Sequence, residues 1–431
     1  MIPTPRLAGL VLLVVPVASL AWLDVRFAYL AVALNLFWLG LYLLDTRGAG
    51  KRRAIEVRRE VAGFLVRGRP AALSLAITSD SPRATLDIVD RLPDGCEPRE
   101  ERWRARLTGS LRRELIPQAR GRFPLLPPAV TATGALGLAW TRGRGTSPGE
   151  LQVLPDLAAL GRYDALVRQA RLREMGIVRA QLRGEGQEFA SLRAYAAGDP
   201  FQRIDWKATA RRGKPIVREH QAERQQPVIL LLDAGRRMAR EADGHSRLDE
   251  AVEASLLLAH VALRADDRVG LWAFADAPLR MVAPARGMAH GMRLARAVYD
   301  LQPVLREPPY AAIATRLLAA QPRRALLVLF TDVIEPSSLQ QLAGPIRFLG
   351  RRHLCLVVIF KDLAVEAALR QPPASEHALY VAGAAASLSR EREEGLAALR
   401  QGGALVLEAT PGGLSTAVVN RYLDIKARQL L

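Results

Sequence analysis

Two apolar runs open the chain, residues 7–23 and 27–44, with only Asp24, Val25 and Arg26 between them. Each is about 17 or 18 residues, the short end of what crosses a bilayer as a helix, and the tight break predicts a helical hairpin. Beyond residue 54 the period shortens. Residues 54–58, 72–77 and 84–89 alternate or run apolar between turn-forming stretches such as Ser79-Asp80-Ser81-Pro82 and Pro93-Asp94-Gly95. Short strands at this spacing predict a small β-sandwich over 54–155. Residues 156–226 read as a connector, polar and helix-like at first, with the flexible stretch Arg183-Gly184-Glu185-Gly186 inside it.

From Pro227 onward, strand-like runs at 228–232, 268–274, 325–330, 353–360 and 404–408 alternate with helical periodicity. Ser246-Arg247-Leu248-Asp249 is a capping box that starts one of these helices. Alternating strands and helices predict an α/β domain over 227–431, a doubly wound and mostly parallel sheet covered on both faces. The chain is thus expected to be multidomain: two transmembrane helices within 1–50, the sandwich, the connector and the α/β domain.

Charge adds an orientation. Arg47, Lys51, Arg52, Arg53, Arg58 and Arg59 follow the second apolar run, and Arg6 precedes the first. Basic flanks stay on the cytoplasmic side, so both termini and the body are expected in the cytoplasm, anchored to the inner membrane by two spans. A cleaved signal peptide is the alternative for the first run, but no clear A-x-A site ends it and a second apolar run follows at once. The net charge of +18 asks for an anionic neighbour. The inner leaflet supplies one, at about 1 kcal/mol per nearby Lys or Arg. Nucleic acid is the rival partner, yet aromatic residues are only 6% of the chain, a poor supply for a base-stacking platform. Cys96 and Cys355 lie in different predicted domains, which excludes a disulfide framework and a CxxC metal site.

Catalytic motifs are scarce. There is no P-loop and no H-E-x-x-H, and the six histidines are scattered, with His260 and His353 read as structural. Gly145-Thr146-Ser147-Pro148-Gly149 matches G-x-S-x-G, but a nucleophile elbow needs a helix after the serine, and 150–154 reads as a strand. That segment is expected to be a loop, and the protein is not expected to be an enzyme.

The densest pattern runs from 188 to 211: Glu188, Phe189, Leu192, Arg193 and Tyr195, then Gly198, Asp199, Arg203, Asp205, Trp206, Lys207 and Arg211. Gly198-Asp199-Pro200 predicts a turn. Two readings divide these residues. In one, Trp206 plugs into the next domain and the charges form an ion-pair network. In the other, they make a docking surface for a partner. Glu188-Phe189 with Leu192-Arg193 and Tyr195, followed by the run from Gly198 to Arg211, resembles the signature of domain-of-unknown-function family 58. The resemblance implies two N-terminal spans, a middle β domain and a C-terminal domain like the A domain of von Willebrand factor. It also implies partnership with MoxR-type AAA+ ATPases.

Ligands of doubly wound sheets sit at the carboxyl ends of the strands, which singles out Asp233 and Thr331-Asp332. The resemblance gives these positions a meaning. In von Willebrand A domains an Asp and two Ser from D-x-S-x-S, a Thr and a second Asp form a metal-ion-dependent adhesion site, an oxygen set suited to Mg²⁺. Here Gly235 and Arg237 stand in place of both serines, and no Thr occurs near Pro308-Pro309-Tyr310. The expectation is a vacated metal site in which a guanidinium of Arg236 or Arg237 reaches Asp233 or Asp332 in the cation's place. Mg²⁺ enters only if the degenerate site still binds it; otherwise no cofactor is expected. A turn or helix cap is the plain structural role of Asp233. The expected function is a membrane-anchored cytoplasmic adaptor that engages a MoxR-type ATPase and a client protein. The alternatives are an accessory subunit of a membrane protease or transglutaminase-like system, and a metal-dependent adhesion protein.

Overall fold

The computed structural model describes residues 2–49, 55–61, 63–79, 84–105, 109–156, 158–168, 188–195, 204–221, 227–242, 245–333 and 336–430. The chain divides into two compact units, Met1–Leu154 and Pro155–Leu431.

The first unit begins with the two apolar segments. Pro5–Trp22 and Val25–Arg47 are each long and apolar enough to cross a membrane, with mean hydropathies of 1.7 and 1.9. The first is not one continuous helix. It consists of Pro5–Leu12, Val15–Ser19 and a 3-10 turn at Leu20–Trp22. Pro16 accounts for the break, because it has no N–H for the Leu12 carbonyl and its ring crowds that oxygen. The second segment has no proline and runs unbroken over Val25–Ala49.

Residues 55–154 fold into short strands. One five-stranded sheet contains Ile55–Val61, Ala71–Ser79 and Gly109–Pro117; another contains Thr85–Arg91, Glu100–Ala105 and Ala129–Thr133. Alternate side chains of both sheets meet in one core, including Ile55, Val57, Leu73 and Leu75 from the first and Leu86, Ile88 and Val130 from the second. The same alternation turns Arg58 outward and Arg59 inward. Arg59 therefore leaves the basic flank to which its sequence position assigned it. Its guanidinium is buried against Asp90, and Arg113 Nη1 reaches the other Asp90 oxygen at 3.0 Å. Burial, together with the neighbouring charge of Arg113, lowers the Arg59 pKa to about 10. Ser147 of the G-x-S-x-G stretch lies beside this cluster and accepts a bond from Arg59 Nη1 at 3.1 Å. Strand Glu150–Leu154, and no helix, follows it.

Asp45, near the end of the second helix, joins that helix to the sheet. Its Oδ1 accepts the N–H of Leu136 at 2.8 Å, and its Oδ2 accepts those of Leu138 at 2.7 Å and Ala139 at 2.9 Å. The carboxylate lies so close to Gly134 that a Cβ there would overlap it. From the other side of the same hairpin, the Thr4 hydroxyl donates to the Gly137 carbonyl at 2.7 Å.

The second unit is built on a six-stranded sheet. Its strands are β1 (Pro227–Asp233), β2 (Arg268–Phe274), β3 (Pro278–Ala285), β4 (Leu326–Thr331), β5 (Leu354–Phe360) and β6 (Leu405–Ala409). Their spatial order is β3-β2-β1-β4-β5-β6, parallel throughout except for the β2–β3 pair. The helices are α1 (Arg247–Arg264), α2 (Met288–Val298), α3 (Tyr310–Ala320), α4 (Pro336–Gly350), α5 (Leu363–Arg370), α6 (Glu376–Gln401) and α7 (Leu414–Ala427). Along β1, Val228, Leu230 and Leu232 pack toward α1, α2 and α7, while Ile229 and Leu231 pack toward α3, α4 and α6. Both faces of the sheet are therefore covered. Each fully buried aliphatic side chain contributes about 1.5–3 kcal/mol.

The capping box forms as read. The Ser246 hydroxyl accepts the Asp249 N–H at 3.1 Å, and Asp249 Oδ2 accepts the Ser246 N–H at 3.0 Å. The helix Ala158–Arg168, expected as part of a connector, belongs to this unit. Tyr163 enters its core, and Asp164 reaches His260 Nε2 at 2.6 Å and Arg264 Nε at 2.7 Å. Strand Glu188–Ala194 pairs antiparallel with Ile216–Gln221, ahead of the sheet in sequence.

Candidate functional site

The chain leaves β1 toward β2 on one side and, after β3, returns to add β4 on the other. The carboxyl ends of neighbouring β1 and β4 thus form a topological switch point, where open α/β sheets place their ligands. Asp233 ends β1, Thr331 ends β4 and Asp332 follows; all three side chains are buried.

Asp233 is saturated with donors. Its Oδ2 accepts the Tyr310 hydroxyl at 2.6 Å and the Thr331 hydroxyl at 2.7 Å, and its Oδ1 accepts the Gly235 N–H at 2.7 Å. Burial pushes the Asp233 carboxyl above the usual range, and these bonds pull against that shift. Burial and the adjacent Asp233 charge push the Tyr310 phenol well above its ordinary value. Tyr310 is the site residue that the sequence reading missed. It lies immediately after Pro308-Pro309, in the loop where the resemblance implied a threonine, and it opens α3.

Asp332 has a different surrounding. Arg247 Nε lies 3.8 Å from its Oδ2, with the Arg247 guanidinium stacked over the Phe360 ring at 4.8 Å. Burial raises the Asp332 pKa, while the charges of Arg247, Arg240 and Arg392 oppose it. Arg240 itself pairs with Asp362 at 2.9 Å. Arg392 donates to the carbonyls of Val333 at 2.9 Å and Phe360 at 2.8 Å.

The cation expected from Arg236 or Arg237 is redirected. Arg236 Nη2 and Arg237 Nη2 both bond Glu307 Oε1, at 2.6 and 3.0 Å, and Arg237 also bonds the Ser338 hydroxyl. The physical reason lies in Asp233, whose acceptors are already met by hydroxyls and a backbone N–H. Arg237 still exerts its charge on Asp233. Arg247, from the first turn of α1, is the guanidinium that reaches Asp332.

These groups do not fit a divalent cation. Mg²⁺ requires six oxygens in near-octahedral array, and both oxygens of Asp233 are hydrogen-bonded. A serine at 235 is excluded as well, since a Cβ there would lie 2.9 Å from the Arg306 carbonyl oxygen and 2.9 Å from Pro308 Cδ. Among the described residues no group of three or more His, Cys, Asp or Glu is arranged to hold a metal.

The signature residues separate into two parts. Gly198, Asp199 and Arg203, with the expected turn, lie outside the described residues, and Glu188, Phe189, Leu192 and Arg193 belong to strand Glu188–Ala194. The Tyr195 N–H continues that strand's pairing by donating to the Pro215 carbonyl at 2.9 Å. Asp205 caps the short helix Trp206–Arg212, its Oδ1 accepting the Ala208 N–H at 3.0 Å, and Gly213 ends it at φ 66°. The cap places Trp206 at the first helical position, and its side chain faces solvent at 68% exposure. The buried plug expected of Trp206 is therefore corrected. Lys207 and Arg211 are exposed too.

The family model described as "Protein of unknown function DUF58" matches residues 191–371. Uncharacterized protein Mb1516 of Mycobacterium bovis and Uncharacterized protein Rv1480 of Mycobacterium tuberculosis are each 25% identical over 181 residues, which covers 42% of this chain and 56% of theirs. The chain thus matches over about half the length of these curated relatives. Among solved structures, the conserved hypothetical protein BatB from Bacteroides thetaiotaomicron aligns at 11% identity and a TM-score of 0.32, covering 47% of this chain and 99% of that one. An aerotolerance-related membrane protein from Bacteroides fragilis aligns at 12% identity and a TM-score of 0.29, with the same two coverages.

Proposed function

We propose that this chain is a membrane-anchored adaptor without intrinsic catalysis, its body in the cytoplasm, which engages a MoxR-type AAA+ ATPase and a client protein. The partner class comes from the resemblance of the signature, and the anchor from the two apolar helices. The second unit is read as von Willebrand A-like, with a metal position that has lost its function. Asp233 in such an adaptor is a structural residue, bonded by Tyr310 and Thr331, and partner binding proceeds without Mg²⁺. The adhesion alternative would need a cation on oxygens that already have partners.

Trp206 carries the reading. A tryptophan 68% exposed at the start of a capped helix adds little to its own domain. Tryptophan is also the residue type that most often dominates binding energy at protein interfaces. The test is affinity capture of the full-length protein in mild detergent, followed by mass spectrometry. The ATPase is expected with the wild type and depleted with Trp206→Ala. Equal recovery from both would remove Trp206 from the interface, and absence of any AAA+ protein from both would sink the adaptor reading. Orientation is tested separately: alkaline phosphatase fused after Leu431 is expected to be inactive, and an active fusion would place the body outside.

A further inference from the structure

We propose that the loop carrying Arg236 and Arg237 receives a carboxylate side chain of a protein partner directly, with no bridging metal, and that Glu307 occupies this position in the free protein. The inference rests on the adaptor reading and names the chemistry its site would recognise.

The carboxyl-end loop after β1, residues 234–240, carries Arg236, Arg237 and Arg240 and no acidic residue. Two of these guanidiniums converge on one atom, Glu307 Oε1. The fork is thus already shaped for a carboxylate, since one from the same chain sits in it. Its parts differ in exposure. The Arg237 side chain is 13% exposed and steadied by Ser338, whereas Arg236 and Glu307 are 51% and 43% exposed. Exposed ion pairs contribute about 0–1 kcal/mol, so Glu307 can be exchanged at little cost. The same charge-assisted bonds strengthen once a docked partner excludes water.

The floor of the site permits an acid to approach. Asp233 is covered by Tyr310 and Thr331, and Asp332 is buried with the Arg247 guanidinium 3.8 Å from it, so neither carboxylate is exposed on the surface that the ligand would approach. A protein carboxylate is favoured over a phosphate because a carboxylate is the group that fills the fork in this structure.

The probe is a fluorescein-labelled hexaglutamate peptide, followed by fluorescence anisotropy on the full chain in mild detergent, with Mg²⁺ or with EDTA. Binding is expected to be equal in both. Glu307→Gln should tighten it by up to about fivefold, the factor that losing a competing ion pair of roughly 1 kcal/mol supplies, and Arg236→Ala should weaken it by about tenfold, the factor that one charge-assisted bond of roughly 1.4 kcal/mol supplies. Arg390→Ala removes an exposed charge elsewhere, with a 77% exposed side chain, and is expected to change nothing. Loss of binding in EDTA, or equal weakening by Arg236→Ala and Arg390→Ala, would overturn the proposal. So would displacement of the peptide by an oligonucleotide with the same strength in wild type and Arg236→Ala, which marks unspecific polyanion binding. Affinity capture separates the two readings: if the ATPase is still recovered while these variants show no effect, the adaptor stands and the carboxylate fork falls.

Discussion

The Tyr310 hydroxyl donates to Asp233 Oδ2 across 2.6 Å, at the carboxyl ends of the neighbouring strands β1 and β4. Thr331 donates to the same oxygen across 2.7 Å, and the two hydroxyl oxygens lie 3.1 Å apart. One carboxylate, one phenol and one alcohol thereby form a closed hydrogen-bonded group in the interior, where unmade polar bonds are expensive.

Removing the phenol should expose that cost. Tyr310→Phe is expected to destabilise the second unit by about 1–3 kcal/mol, because a buried carboxylate oxygen loses one of its two hydroxyl donors. Thermal or urea unfolding of the full chain in detergent measures it. Millimolar Mg²⁺ is expected to leave the melting temperature of the wild type unchanged. Replacing Gly235 and Arg237 with serine is expected to lower stability without creating a metal site, given the crowding at position 235. A rise of several degrees with Mg²⁺ in the wild type, abolished by Asp233→Ala, would contradict this.

Asp332 sets a pH dependence. Burial raises its folded-state pKa above the ordinary value of 3.8. A carboxyl that keeps its proton longer in the folded chain stabilises most below that value and loses its contribution as pH rises through the folded pKa. Asp332→Asn should remove this slope. The stability of the wild type minus that of the variant is therefore expected to fall as pH increases from about 4 upward. Asp164, whose pKa is lowered, acts in the opposite sense and cancels in the difference, whereas the Asp362 charge acts on Asp332 itself and is part of what the difference reads. A difference that grows with pH would count against the assignment.

Asp90 neutralises two buried arginines, Arg59 and Arg113. Asp90→Ala leaves both charges without their shared carboxylate and is expected to cost about 3–5 kcal/mol. Asp90→Ala combined with Arg59→Met should recover part of the loss. Chemical unfolding followed by intrinsic fluorescence compares the single and double variants, and equal stability of the two would argue against the pair.

The joint between the second apolar helix and the β sheet is expected to depend on Asp45 and Gly134. Asp45→Ala strands three backbone donors, and Gly134→Ala inserts a methyl group where the carboxylate lies. Either change should increase limited proteolysis within residues 133–139 while the second unit stays resistant. Unchanged cleavage would show that the joint is held by other contacts.

Trp206→Ala is expected to shift stability by no more than about 0.5 kcal/mol, as at other solvent-facing positions. A loss of several kcal/mol would return Trp206 to a packing role. Read with the capture experiment, this separates a docking residue from a structural one.

Much of the architecture was legible along the chain because it depends on local periodicity. Period-two alternation over 54–58 marked the strand that runs from Ile55 to Val61, and unbroken apolar runs marked the buried strands β1, β4 and β5. The capping box at Ser246 and Asp249 could be read directly, because both partners lie within one helical turn. Strand ends located Asp233, Thr331 and Asp332 for the same reason: a parallel sheet covered by helices concentrates its polar side chains at its carboxyl edge.

What tertiary structure alone decided was which partner each polar group found. Tyr310 lies 77 residues from Asp233, and Arg59 lies 31 from Asp90. No local pattern encodes either pairing. Arg59 read as one more basic residue beside a membrane until strand alternation and the opposing sheet turned it inward. Trp206 read as a core residue by its chemistry, yet Asp205 capped a helix and left the indole in water. Arg236 and Arg237 stood next to the carboxylate they were expected to serve, but hydroxyls from two other elements reached it first. Hydrophobic pattern determines which segments are buried, because burial depends on each segment's own apolar surface. Pairing among polar groups depends on distances between segments remote in sequence, and only the folded chain sets them.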